Sequence, residues 1–204
     1  MTFAHDAVVL AAGGSRRLGQ PKQLLLHGGE TLVRRCVRLA AATAPHRLLL
    51  IAGGHADGVI AAVRDLPVAI HVNADWEEGL ASSLRVAAAA LAEAARPCLL
   101  LACDQPALEA AHLHALREGF AARGCAATRH GDARGIPALV PPELLAQAMD
   151  LRGDRGFRHL LAARAPGHIA VLDAPALAHD IDTPDDLAAA RRDGWVDDRE
   201  VPPG

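Results

Sequence analysis

A chain of 204 residues, 51 % of them hydrophobic, carries enough apolar material for one substantial core and is short for two domains. A net charge of −3 provides no basic field to attract nucleic acid, and 2 % aromatic residues with no tyrosine leave almost no stacking surface for single strands. No apolar run approaches the roughly 20 residues that a membrane-spanning helix needs.

Short apolar runs alternate with longer alanine- and leucine-rich stretches. Ala7–Ala12 reads as a first strand, and Leu24–Ala42 as a helix. Arg47–Ala52 and Val68–Val72 are the next strands, with a short helix at His55–Arg64 between them. A helix over Ser82–Ala95 leads to a fourth strand at Cys98–Ala102, followed by a helix over Glu109–Arg123. Cys125–Val140 has a strand-turn-strand pattern, with "HGDARG" at the turn. Pro142–Met149 and Phe157–Ala163 read as helices, His168–Leu172 as a strand and Pro184–Arg192 as the last helix. Strands that are apolar throughout, rather than alternating, are covered on both faces. Their alternation with helices predicts an α/β fold, a three-layer α/β/α Rossmann-like domain with a mostly parallel sheet. Residues 1–193 form this single domain, and 194–204, polar with two prolines, are expected to be a flexible tail.

Cys36, Cys98, Cys103 and Cys125 form no CxxC pair, and Cys98 and Cys103, around a predicted buried strand, read as small hydrophobes. Met1–Asp6 lacks the charged-then-apolar layout of a signal peptide. Together these features lead us to expect a reducing, cytoplasmic setting.

Parallel α/β sheets bind ligands at the carboxyl ends of their strands. The first such end is "LAAGGSRRLGQPKQLL", Leu10–Leu25. Gly14 and Gly19 have Walker A spacing, but Gln20 follows where lysine is required. No frame supplies GxGxxG. Gly13 and Gly14 permit close backbone approach and positive φ, and successive N–H groups in such a turn form an anion-binding concavity. Arg16, Arg17 and Lys22 could neutralise a triphosphate, and Pro21 keeps Gln20 extended. The alternative is a tight turn with solvated charges.

Asp104 follows the fourth strand in "LLLACDQP". It suits either a Mg²⁺ ligand beside substrate phosphates or a turn aspartate. In "HDIDTPDDLAAARR", Thr183, Pro184 and Asp186 fit N-cap, N1 and N3 of a helix. Asp180 and Asp182 precede that cap and, if extended, point to one side. After the third strand, Asn73 sits where an amide could read a base or ribose. Gly79 with Ser82 or Ser83 opens a helix, where ordinary capping is the competing reading.

The first loop resembles the AAGxSxRxGxxK signature of nucleotidyltransferases with the glycosyltransferase-A-type α/β fold, and within them most resembles the molybdenum cofactor cytidylyltransferase branch. That resemblance runs in order through nearly the whole chain. It implies that Leu10, Ala11, Ala12, Gly13, Gly14, Ser15 and Lys22 wrap a nucleotide triphosphate. Arg17 and Lys22 fall on the signature arginine and lysine, while Arg16 falls on a variable position and is expected to be solvated. By the same resemblance Asp104, in DxP, is the metal-binding aspartate, and Asp182 is preferred over Asp180 as the second Mg²⁺ ligand. Asn73, Gly79, Ser82 and Ser83 match the N-x-x-W-x-x-G-x-x-S-S segment that borders the nucleotide. Gly135 and Pro137 match a G-x-P strand lining the acceptor pocket. Asp154 and Arg158 match a GDxGxR segment facing the acceptor, although Gly153-Asp154 would equally suit a turn. His112 and His114 lie two apart on a helix and read as surface residues; His55 and His130, in loops, could approach a ligand.

The activity so implied is Mg²⁺-dependent transfer of CMP from CTP to a molybdopterin-type acceptor, with Arg17, Lys22 and Asp104 as the catalytic set. A molybdoenzyme or its maturation factor would then be a partner. GTP or a sugar phosphate in place of these substrates, a non-catalytic cofactor carrier, and a reductase on the same fold are the competing readings.

Overall fold

A computed structural model describes residues 3–198. Strands β1 (Asp6–Ala11), β4 (Leu48–Ala52), β5 (Ala69–Val72), β6 (Cys98–Ala102), β7 (Ala126–His130), β8 (Ala133–Val140) and β9 (Ala170–Asp173) form one sheet in the order β5-β4-β1-β6-β8-β7-β9. Only β8 runs against the others. The amino end of β8 therefore lies at the same sheet edge as the carboxyl ends of the rest.

The parity of each strand assigns its residues to two cores. Val8 and Leu10 of β1 join Leu49 and Ile51 of β4 and Leu100 of β6 on one face. Val9, Leu50, Leu99 and Leu101 belong to the other face. Helices α3 (Leu80–Ala90), α5 (Pro142–Ala146) and α6 (Arg158–Ala162) contribute Leu84, Leu144 and Leu161 to the first core. Helices α1 (Leu32–Ala42), α2 (Ala56–Val63) and α4 (Ala110–Arg123) contribute Val37, Val59 and Leu113 to the second. The result is the three-layer α/β/α arrangement expected from the uninterrupted apolar strands. Among the described residues no helix is long and apolar enough to cross a membrane, and all four cysteines are free and buried.

Besides shifted ends, such as a helix at Leu80–Ala90 where Ser82–Ala95 was expected, two stretches differ from the sequence reading. The helix expected from Leu24 begins only at Leu32, where the Thr31 hydroxyl accepts from the Arg34 backbone N–H at 3.3 Å. Before it lie a 3-10 turn (Lys22–Leu24) and a small hairpin, β2 (Leu26–His27) with β3 (Glu30–Thr31). Gly28 and Gly29, at φ 62° and 79°, close that hairpin, a left-handed pair that glycine adopts at no steric cost. Apolar Leu24, Leu25 and Leu26 mimic a helical face and hide the turn signal. Residues 194–198 were expected to fray but are docked. Val196 is buried with Leu18, Leu25, Leu32, Ile181 and Leu187 in a third, smaller core, beneath α7 (Pro184–Arg192). The Asp197 carboxylate accepts from the backbone N–H of Gly28 at 2.8 Å and of Gly29 at 2.7 Å. The rest of the expected tail, 199–204, lies outside the described residues. His112 also departs from expectation: it is half-buried and bonds the Thr128 hydroxyl at 2.7 Å.

His5, fully buried at the start of β1, bonds the Thr43 hydroxyl at 2.9 Å. Burial, aided by the nearby Arg117 charge, lowers its pKa to about 4. In the unfolded chain a histidine protonates near 6.5. Between those values the unfolded state binds more protons, so stability is complete above about pH 6.5 and falls toward pH 4. His5 alone should cost about 2 kcal/mol between pH 7 and 5, a Tm decrease of roughly 5 °C. Thermal melts at the two pH values check this: the decrease should be clearly smaller in His5→Gln, and equal decreases would remove His5 as the cause.

Candidate active site

The carboxyl edge of the sheet opens into a cavity of about 1470 Å³. β1 delivers the glycine-rich loop to its rim. Gln23, buried just after the loop, holds it in shape: its amide donates to the Ala11 carbonyl at 3.1 Å and the Gly13 carbonyl at 2.5 Å. The Ser15 hydroxyl in turn accepts from the Lys22 backbone N–H at 3.1 Å. The left-handed residues of the loop are Ser15 (φ 49°) and Gly19 (φ 77°), not Gly13 or Gly14. Gly14 is needed for another reason: a Cβ there would enter the Trp76 ring. Trp76 lies in the 3-10 turn before α3, so it links the loop to the neighbouring wall. Arg16 is exposed as expected, 5.3 Å over the same ring and 2.6 Å from Glu77.

Lys22 reaches from the loop into the lining of the cavity. Its Nζ donates to Asp104 Oδ2 at 2.6 Å and to Asp182 Oδ1 at 2.8 Å. Arg17 donates to the other oxygen of Asp182 at 2.6 Å. Asp104 follows the carboxyl end of β6. Asp182 is fixed from both sides. Before it Ile181 is buried, and after it Thr183 and Asp186 form the capping box of α7. Burial would lower the Lys22 pKa, but the charges and hydrogen bonds of Asp104 and Asp182 outweigh it and hold the ammonium above its usual range. Burial raises Asp182, and Lys22 and Arg17 more than reverse this, leaving it below the usual carboxylate range. Asp180 lines the same cavity; burial and then the Asp104 charge raise it to about 6.

The donor set suits a hard divalent cation. Asp104 and Asp182 present carboxylate oxygens that already share one ammonium ion. Among the described residues no group of three His, Cys, Asp or Glu side chains is placed to hold a metal. A cation here would complete its shell with phosphate oxygens and water, as Mg²⁺ does in phosphoryl sites.

Leu10, Ala11, Ala12, Gly13, Gly14, Ser15, Gly79 and Ser83 all line the cavity, as do Gly135, Asp154 and Arg158. Asn73, Ser82 and Pro137 do not. Asn73 is buried, and its amide donates to Ser82 Oγ at 2.7 Å and Ser83 Oγ at 3.0 Å while its oxygen accepts from the Asp75 N–H at 3.0 Å. The side chain expected to read a base or ribose is therefore committed to tying β5 to the start of α3. The Pro137 carbonyl accepts from Thr128. Trp76, the tryptophan of the N-x-x-W-x-x-G-x-x-S-S segment, was not named as a site residue, and Gln23 and Gln105 were missed by the sequence reading. Gln105 bonds the carbonyls of Ile136 at 3.3 Å and Leu177 at 3.1 Å, joining the Asp104 turn to β8. No sequence signal marks Gln23 or Gln105, because their partners are backbone carbonyls. His130 lines the cavity, and His55 bonds the Gly14 carbonyl at 3.1 Å.

Fold and site together define an α/β domain of the nucleotidyltransferase type. Residues 7–169 match the MobA-like NTP transferase domain, and the chain belongs to that family: it is a nucleotidyltransferase of MobA-like type. It is 31 % identical over 187 residues to a nicotine blue oxidoreductase of Paenarthrobacter nicotinovorans, covering 86 % of this chain and 91 % of that protein. It is 34 % identical over 163 residues to a probable molybdenum cofactor guanylyltransferase of Opitutus terrae, covering 78 % and 79 %. The crystal structure of Rv0371c from Mycobacterium tuberculosis superimposes with a TM-score of 0.79 at 33 % identity, covering 93 % of this chain and 98 % of that one. A complex of Rv0371c with manganese superimposes with a TM-score of 0.75 at 29 % identity, covering 92 % and 97 %.

Gly79 gives a direct test of the wall that Trp76 links to the loop. Its φ is +110°, and a Cβ there would lie 2.7 Å from the Gly153 carbonyl oxygen and collide with the Asp154 carboxylate. Gly79→Ala should cost about 2–4 kcal/mol by denaturant titration. Gly13→Ala, with open space around its Cβ, should change stability by less than about 0.5 kcal/mol. Equal effects at the two positions would contradict the packing described.

Proposed function

We propose that the protein transfers CMP from CTP to the terminal phosphate of a molybdopterin-type cofactor and releases pyrophosphate. The observation that carries this reading is the convergence on one cavity of the loop of residues 10–22, Lys22 and the two carboxylates of Asp104 and Asp182. The cavity continues to Gly135, Asp154 and Arg158, so it has room for a second substrate beside the nucleotide. An acceptor phosphate is already anionic, so no side chain need act as nucleophile or base. Catalysis then consists of positioning and charge neutralisation. Backbone N–H groups of the loop, Arg17 and Lys22 hold the β- and γ-phosphates and stabilise the leaving pyrophosphate. Arg158 faces the acceptor side, where a second anion must approach. Asp104 and Asp182 would hold Mg²⁺, which when bound acts as Lewis acid and template for phosphate oxygens. The manganese complex of a relative is consistent with a divalent cation in this family.

The assignment of CTP rests on the "LAAG" form of the loop and on the N-x-x-W-x-x-G-x-x-S-S segment. The relative named as a guanylyltransferase makes GTP the competing nucleotide, and the relative named as an oxidoreductase makes a redox reaction in this cavity the other alternative. Mg²⁺-dependent pyrophosphate release, measured with purified acceptor and each of four nucleoside triphosphates, separates these readings. CTP should be used at least about tenfold better than GTP, a difference of about 1.4 kcal/mol. Preference for GTP would move the protein to guanylyl transfer, and release from none would end the assignment of a molybdopterin-type acceptor. Asp104→Ala should lower kcat by about 10³ or more, about 4 kcal/mol of transition-state stabilisation. Its melting temperature should change little, since the side chain faces the cavity; near-full turnover would remove Asp104 from the reacting centre.

A further inference from the structure

Lys22 occupies the space between the two carboxylates that would bind the cation. Its Nζ is 2.6 Å from Asp104 and 2.8 Å from Asp182, and the side chain is only 14 % exposed. Its backbone is fixed independently. The Ser15 hydroxyl holds its N–H, and Gln23, next in the chain, is tied to Ala11 and Gly13. The ammonium ion can therefore swing on its four-carbon stem without moving the loop. An ammonium ion and a divalent cation cannot share the same pair of oxygens, because like charges at that separation repel strongly.

We infer that Lys22 is a built-in cation that holds the metal site closed until a triphosphate draws it away. Without nucleotide, an incoming metal must displace Lys22 from two charge-assisted hydrogen bonds. Without metal, a triphosphate can recruit Lys22 only by leaving Asp104 and Asp182 bare beside its own negative charge. Each ligand removes the cost that the other would bear, so metal and triphosphate bind with positive coupling. Arg17 does not play this part. It pairs with the outer oxygen of Asp182 alone and is 70 % exposed.

This inference rests on the assignment of Asp104 and Asp182 as metal ligands. The experiment is Mn²⁺ binding by electron paramagnetic resonance, with and without CTP and with inorganic pyrophosphate as a second probe. It compares the wild type, Lys22→Met, Lys22→Gln and Arg17→Met, each checked for folding by thermal melt. In the wild type, Mn²⁺ alone should bind weakly, and CTP or pyrophosphate should tighten it at least tenfold. Both Lys22 variants should bind Mn²⁺ alone about tenfold or more tighter than the wild type, with a smaller enhancement by triphosphate or pyrophosphate, since only direct phosphate coordination of the metal then couples the two. Arg17→Met should change Mn²⁺ affinity no more than about threefold. Equal gains in the Lys22 and Arg17 variants would mean a general charge effect and overturn the inference, as would unchanged affinity in both Lys22 variants. Absence of Mn²⁺ binding in every protein, even with CTP, would overturn the metal-site assignment itself and the inference with it.

Discussion

The Lys22 ammonium ion joins three parts of the chain that lie far apart in sequence. Asp104 is 82 residues away in sequence and Asp182 is 160. One comes from the turn after β6, the other from the segment that enters α7, and the lysine from the loop after β1. Two carboxylates this close stay ionised together only with a positive charge beside them. That charge has to be supplied by the chain or by a bound cation, and the rest of the cavity is arranged around this requirement.

The scaffold behind the site divides the work. β1 and β6 are buried on both faces, so the ends of these strands are rigidly placed. The charged residues do not sit on the strands themselves. Arg17 and Lys22 lie in a loop whose outer end is anchored by Leu18, and Asp182 follows Ile181; both anchors belong to the third core. Val196 completes that core, and Asp197 closes over the hairpin that follows the loop. The docked segment 194–198 therefore supports one side of the site from a distance. The opposite wall is held by Asn73, Gly79 and Trp76, which join β5, α3 and the glycine-rich loop without themselves bearing charge.

Much of the architecture was legible because it depends on period and parity. Runs such as "CLLLA" admit burial on both faces, and their spacing leaves room for one helix each. The hairpin at residues 26–31 was not legible, since its flanking leucines fit a helical face equally well. The docking of Val196 was hidden for a related reason: one apolar residue in a polar, proline-containing tail gives no periodic signal. At the site, the spacing of Asp180 and Asp182 correctly implied a shared side, and the structure brings both to the cavity. Asn73 shows the reverse. A polar residue after a strand has the same appearance whether its amide faces a ligand or bonds two serines behind the wall.

The sequence by itself determined the three-layer α/β class and the placing of the glycine-rich loop at the carboxyl edge of the sheet. Those features follow from local residue pattern and backbone chemistry. Only the tertiary structure decided which charges confront each other. It paired Lys22 with Asp104 and Asp182, turned Asn73 inward and recruited Gln23, Gln105 and Trp76 to hold the loops. Contacts between residues far apart in sequence are set by how the layers close over one another, and no local pattern encodes that closure.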